Sequence, residues 1–151
     1  MEKIISPELE EFNRIYREFD NIYHDIALHL DLSDSAFTIL YNIFCLGDGC
    51  LQRDICNTSY ISKQTVNSSI RKLEKDGYLY LEPGKGRDMH IHLTSAGEKF
   101  LEEKIRPVVT VENQAFAGMS PDESARLLQL SQKYITILRR EVQKYLDTIE
   151  S

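Results

Sequence analysis

Residues 51–77 read Leu51-Gln52-Arg53-Asp54-Ile55-Cys56-Asn57-Thr58-Ser59-Tyr60-Ile61-Ser62-Lys63-Gln64-Thr65-Val66-Asn67-Ser68-Ser69-Ile70-Arg71-Lys72-Leu73-Glu74-Lys75-Asp76-Gly77. Leu51 to Asn57 suits a short helix, Thr58 to Ile61 a tight turn, and Ser62 is placed to cap a second helix running to Asp76. Gly77 supplies the left-handed residue on which such a helix ends. At about 100° per residue, Val66, Ile70 and Leu73 fall on one face of that helix and form its buried anchor. The opposite face carries Gln64, Ser68, Arg71 and Lys75, flanked by Thr65, Asn67 and Lys72. Two helices on a tight turn, the second apolar on one side and polar on the other, set the frame for the rest of the chain.

Past Gly77 the period changes from helical to alternating. Leu79 and Leu81 share one strand face, as do Met89, Ile91 and Leu93. Glu82-Pro83-Gly84-Lys85-Gly86-Arg87-Asp88 lies between them, and its proline and glycines predict the tip of a hairpin rather than strand. Thr94 can cap a fifth helix from Ser95 to about Ala117, kinked or broken at Pro107. Ser120-Pro121-Asp122-Glu123 combines a capping box with proline at the first helical position, so a sixth helix starts there.

Upstream, Leu9, Phe12, Ile15, Tyr16, Phe19, Ile22, Tyr23, Ile26 and Leu30 recur every three or four residues, the pattern of a long amphipathic helix. Ser33 caps a second helix, Phe37 to Leu46, which stops at Gly47-Asp48-Gly49. The last helix repeats the long stripe through Leu127, Leu130, Tyr134, Ile137, Leu138, Val142, Tyr145 and Ile149. Two long striped helices flanking a small middle would leave a large apolar surface in water, so they are expected to pack on each other and on a second copy of the chain. The expected fold is mainly α with a small β wing: six helices and a two-stranded hairpin.

The chain has 151 residues, 42% apolar and 28% charged, enough for one ordinary core without disulfide or metal. Its net charge is −6, which taken alone disfavours a polyanionic partner. The charge is not evenly spread, however. Residues 62–75 hold four cations (Lys63, Arg71, Lys72, Lys75) against Glu74, net +3, which leaves −9 for the remainder. An exposed helix of amides, hydroxyls and cations carries what the major groove of DNA demands, since amides pair with adenine and arginine with guanine. The turn before it and the cationic hairpin after it complete a winged helix-turn-helix, with Arg87 suited to the negative potential of a narrow minor groove.

With those residues in view, the whole chain resembles the MarR family of bacterial and archaeal transcriptional regulators. The resemblance rests on Leu51-Gln52-Arg53-Asp54-Ile55, Ser62-Lys63-Gln64-Thr65-Val66-Asn67, Leu73-Glu74-Lys75-Asp76-Gly77-Tyr78-Leu79, and the exit Ile91-His92-Leu93-Thr94-Ser95-Ala96-Gly97, which matches the family's Leu-Thr-x-x-Gly ending. It implies a homodimer built on the first, fifth and sixth helices, acting as a repressor at a pseudo-palindromic operator in double-stranded DNA and released by a small-molecule or oxidant signal. The corresponding division is 1–32 for an N-terminal dimerisation helix, 33–94 for the DNA-binding lobe and 95–151 for C-terminal dimerisation helices. The DNA-binding residues would be Ser62, Lys63, Gln64, Thr65, Asn67, Ser68, Arg71, Lys72, Lys85 and Arg87. Family effectors sit between the dimer helices and the DNA-binding lobe, where Tyr16, Tyr23, Phe37 and Tyr41 would border the cavity. In two places the chain departs from the family. Lys85 stands where an acid usually braces the wing arginine, so a more mobile wing is expected, and Leu81 replaces a common basic residue.

Other chemistry is thinly represented. No phosphate-binding loop, nucleophile elbow, zinc-protease motif or dinucleotide fingerprint occurs, so neither an enzyme nor a cofactor is expected. His24 and His29 point to different faces of one helix, and His90 and His92 share a strand face without a third ligand, so no metal site is assigned. The two wing histidines are expected on its outer side beside Tyr78 and Tyr80. Cys45, Cys50 and Cys56 lack a paired disulfide spacing and read as packing residues in a reducing cytoplasm, with a redox-sensing regulator as the alternative. Ala36 to Leu46 is about half the length needed to span a bilayer, so no membrane partner is expected. Met1 to Glu8 lacks the apolar run of an export signal. A winged-helix module serving protein association without DNA is the remaining alternative.

Overall fold

A computed structural model describes residues 4–149. Helices α1 (Pro7–His29), α2 (Asp34–Leu46), α3 (Gln52–Ser59) and α4 (Lys63–Lys75) lead into strands β1 (Leu79–Pro83) and β2 (Met89–Leu93). Then come α5 (Ser95–Phe100), a π-helical turn (Leu101–Ile105), α6 (Arg106–Ala117) and α7 (Pro121–Ile149). The architecture is the expected one, mostly helical with one antiparallel hairpin. None of the helices among the described residues is long and apolar enough to cross a membrane.

The starts of these helices follow from their caps. Ser6, Ser33, Ser62 and Thr94 each accept a hydrogen bond from the backbone N–H three residues on, which satisfies one of the donors a helix start leaves open. At α7 the capping box is reciprocal: the Glu123 amide donates to Ser120 Oγ at 3.2 Å, and the Ser120 amide donates to Glu123 Oε2 at 2.8 Å.

Two compact units divide the chain, one ending at Pro107 and the other beginning at Val108. The first gathers its core around α2, where Phe37, Ile39, Leu40 and Ile43 meet Ile55 of α3, the Val66, Ile70 and Leu73 anchor of α4, Leu79 and Ile91 of the hairpin, and Leu101 and Ile105. Each such side chain contributes about 1.5–3 kcal/mol by leaving water. In the second unit no residue of α7 is buried, and Leu127, Leu130, Tyr134, Ile137, Leu138 and Val142 are 38–52% exposed. On α1, Leu9, Phe12, Ile15, Phe19 and Ile22 are 41–57% exposed. The two expected stripes are therefore present, each facing outward within a single chain.

The hairpin tip and the disturbance at Pro107 both depart from the sequence reading. Glu82 and Pro83 belong to β1, paired with His90 and Met89, rather than to the hairpin tip. A two-stranded hairpin is all edge, and a strand's last residue can lack an N–H donor without loss. The irregularity expected at Pro107 lies just before it. Proline has no N–H to bond the carbonyl four residues earlier, and the chain widens by one residue per turn, with the Arg106 amide donating to Leu101 O.

Candidate nucleic-acid interface

The outward face of α4 is fixed by its inward one. With Val66, Ile70 and Leu73 at 0–2% exposure, helical geometry turns Lys63, Gln64, Ser68, Arg71 and Lys72 to solvent, all of them exposed. Lys63, Gln64, Asn67, Ser68 and Arg71 line one open depression along the helix. The other expected contact residues serve the scaffold as well. Ser62 Oγ donates to Thr65 Oγ1 at 2.8 Å and accepts from the Thr65 amide. Asn67 accepts from Gln52 of α3, tying the two helices of the motif together. Ser68 donates to its own helix at Thr65 O. Among the described residues no side-chain hydrogen bond or ion pair holds Gln64 or Arg71, and both are exposed, so their side chains are available to a ligand.

Beyond α4 the wing closes a cleft of about 580 Å³, lined by Arg53, Lys63, Arg71 and Arg87 with Gln52, Asn67 and Leu81. Four cations against Asp88 give this surface its sign. Lys85 and Arg87 are exposed on the tip. The tip turns tightly because the Asp88 amide donates to Lys85 O at 3.1 Å and Gly86 adopts φ 62°, a left-handed value suited to glycine. Arg53 and Gln52 escaped the sequence reading as contact candidates. A cation in the first turn of α3 gives no local sign that a wing residue about 35 positions later will fold beside it.

The wing is better anchored than the lysine at position 85 suggests. Asp88 Oδ1 lies 3.3 Å from Arg53 Nη1, so an acid does pair near the wing arginine, from the following position and toward α3. At its root the wing is joined to the loop before α3. Gly49 N–H donates to Ile91 O and Ile91 N–H to Cys50 O, both at 2.8 Å. His90 Nδ1 donates to Gly49 O at 2.8 Å. His92 lies between Asp48 at 3.3 Å and Glu82 at 3.4 Å and stacks on Tyr80. Tyr78 does not join this outer group; it turns inward onto Phe100, 5.0 Å between ring centres. The Leu93 amide, donating to Asp48 Oδ1 at 2.6 Å, is the main cause holding the Asp48 carboxyl below the usual carboxylate range.

The effector candidates separate. Phe37 is buried between Tyr23 and Tyr41, with ring centres 6.4 and 6.1 Å away, whereas Tyr16 lies higher on α1 against Phe12. The three cysteines form no disulfide, with Cys45 exposed and Cys50 and Cys56 half-buried. Burial, reinforced by the negative charge of Asp54, pushes the Cys50 thiol up to about 11. Among the described residues no three His, Cys, Asp or Glu side chains are grouped to hold a metal.

Comparison with known proteins places this geometry in company. The sequence model of the MarR family matches residues 30–88, the stretch that holds all four cations of the cleft. The chain is 31% identical to the HTH-type transcriptional regulator YkoM of Bacillus subtilis, over 83% of this chain and 87% of that one. Its fold is similar to that of NMB1585, a MarR family regulator from Neisseria meningitidis, with a TM-score of 0.79 and 18% identity over 92% of this chain and 99% of the other. It is also similar to Staphylococcus aureus MepR in complex with DNA, with a TM-score of 0.69 and 21% identity over 89% and 98%.

Proposed function

The chain belongs to the MarR family, and from that premise we propose that it is a sequence-specific transcriptional regulator that binds double-stranded DNA as a homodimer on a pseudo-palindromic operator. One observation carries the reading: Gln64 and Arg71 stand exposed on α4 in a continuous cationic surface with Arg53, Lys63 and the wing's Arg87. In such a regulator α4 enters the major groove, and the rest of the lobe holds it in register by phosphate contacts. The outward stripes of α1 and α7 support dimerisation, because surfaces of that kind are covered in a soluble protein. Two α4 helices must then match successive major grooves about 34–36 Å apart.

Repression follows if the bound dimer occludes a promoter in the cytoplasm, and release follows if a ligand shifts the separation of the two readers. A small molecule near Tyr23, Phe37 and Tyr41 is favoured over an oxidant acting at Cys50, whose thiol is held protonated. No step in this function requires catalysis or a cofactor.

Selection of bound sequences from random duplexes tests the reading. A two-fold site with half-sites about one helical turn apart, whose affinity falls steeply with salt, is expected. Failure to enrich any sequence, or binding indifferent to salt, overturns it in favour of a protein-association module.

A further inference from the structure

Asp88 is out of place by charge. It directly follows Arg87 in the wing turn and is the one acid in a cleft lined by Arg53, Lys63, Arg71 and Arg87. On a surface facing phosphates, an acid repels the ligand and should weaken binding. Its side chain is 24% exposed, against 64% for Arg53, with an oxygen 3.3 Å from that guanidinium. Its backbone closes the turn at both ends, donating to Lys85 O and accepting from the Gly84 amide at 2.8 Å. Gly84 and Gly86 bring no side chain to the tip, and those of Lys85 and Arg87 are exposed. The Asp88 carboxylate makes an ion pair from this turn to a helix, reaching Arg53 of α3.

We propose that Asp88 is the positioning residue of the wing: its pairing with Arg53 docks the turn against α3 and aims Arg87 at the DNA. This takes over, from the position after the arginine, the bracing that an acid at position 85 would supply. The inference rests on the DNA-binding reading above. In it, the pair offsets the acid's repulsion of phosphate and spends Arg53's charge on holding the wing instead of on the backbone. An exposed ion pair adds little to fold stability, so variants at either position should remain folded and differ in binding.

Two roles for Asp88 predict opposite signs. As a stray acid its removal tightens DNA binding and raises the salt slope. As the brace its removal weakens binding, because Arg87 loses its aim. The experiment measures affinity for the selected duplex across salt concentrations for wild type, Asp88→Asn, Arg53→Ala, Arg87→Ala, the double variant Asp88→Asn with Arg87→Ala, and the exchanged pair Arg53→Asp with Asp88→Arg. Melting temperatures are recorded for each. We expect Asp88→Asn to weaken binding about three- to tenfold, the size of ordinary coupling between contacting residues, with an unchanged melting temperature. Adding Arg87→Ala to it should cost little more, and the exchanged pair should recover part of the loss. If Asp88→Asn binds as tightly as wild type or more tightly while Arg87→Ala is weakened, the brace is overturned and the DNA-binding reading stands. If no duplex is bound by any form, that reading fails and takes the brace with it.

Discussion

Gly97 lies directly against the carbonyl of Tyr78, so close that a methyl group on its Cα would overlap the Tyr78 oxygen and crowd Leu93. The residue before β1 and the first turn of α5 therefore touch backbone to backbone, and Thr94 fastens the same joint by donating to Gly77 O at 2.6 Å and accepting from the Gly97 amide at 3.1 Å. The demand for glycine is one of space. Gly97→Ala forces this joint apart and should cost about 1–3 kcal/mol, as overpacking a tight site does. Urea unfolding checks it: a wild-type midpoint for the alanine variant would mean that the contact yields freely.

On α4 and the wing, substitutions should fail in different ways. Gln64→Ala and Arg71→Ala each remove a side chain suited to a bidentate base contact, worth about 1–3 kcal/mol of discrimination, and should relax preference at particular operator positions. Arg87→Ala should weaken all duplexes evenly and lower the salt slope by about one unit. Both classes leave the Val66, Ile70 and Leu73 anchor untouched, so melting temperatures should hold. Binding across operator variants and salt concentrations separates the two. Wild-type preference in both α4 variants would remove that helix as the reader.

The stripe on α7 should be an interface. Leu130 and Ile137 are 52% and 39% exposed within one chain, and a charge placed at either position would be buried unpaired in a dimer. Leu130→Arg or Ile137→Arg should shift sedimentation from dimer to monomer or aggregate at micromolar concentration. A wild-type protein that sediments as a monomer refutes the interface.

Cys50 makes a prediction about alkali. Its thiol is pushed up to about 11 from an ordinary value of 9.0, by burial first and then by Asp54. A folded-state value raised above the unfolded one contributes stability that is complete below pH 9 and is lost as pH rises through about 11. Stability should therefore decline between those limits, and Cys50→Ala should remove part of the decline. Iodoacetamide at pH 8 should modify Cys50 more slowly than the exposed Cys45, since the thiolate is the reacting form. Mass spectrometry of the labelled protein gives the order directly.

The elements whose causes are local in sequence were readable in advance. Ser62, the Val66, Ile70 and Leu73 anchor, Gly77 and the Ser120–Glu123 box act over one helical turn, and each lies where its pattern predicts. Features that depend on distant segments were not. The Asp48–His92 and Gly49–His90 contacts join residues more than 40 positions apart, and without them two wing histidines look like surface groups facing outward. Arg53 and Asp88 present the same difficulty, since neither residue type nor spacing marks a pair. Pro107 was legible as a disturbance but not as to its form: periodicity records that a ladder bond is missing, while the wider turn over Leu101–Ile105 leaves no mark in the spacing of apolar residues.

The concentration of positive charge on α4 and the wing within a chain of net −6 shapes how the molecule arrives at its target. At separations comparable to a Debye length, about 10 Å at 0.1 M salt, a duplex senses mainly the overall sign, a repulsion that screening removes farther out. Closer in, the same field exerts a torque that swings the cationic face toward the phosphates and rejects every other approach. Adding salt softens the long-range repulsion and the short-range attraction together, so the two effects oppose each other during encounter but not after it. For a protein bound to DNA, residence time rather than arrival rate would then carry most of the ionic-strength response.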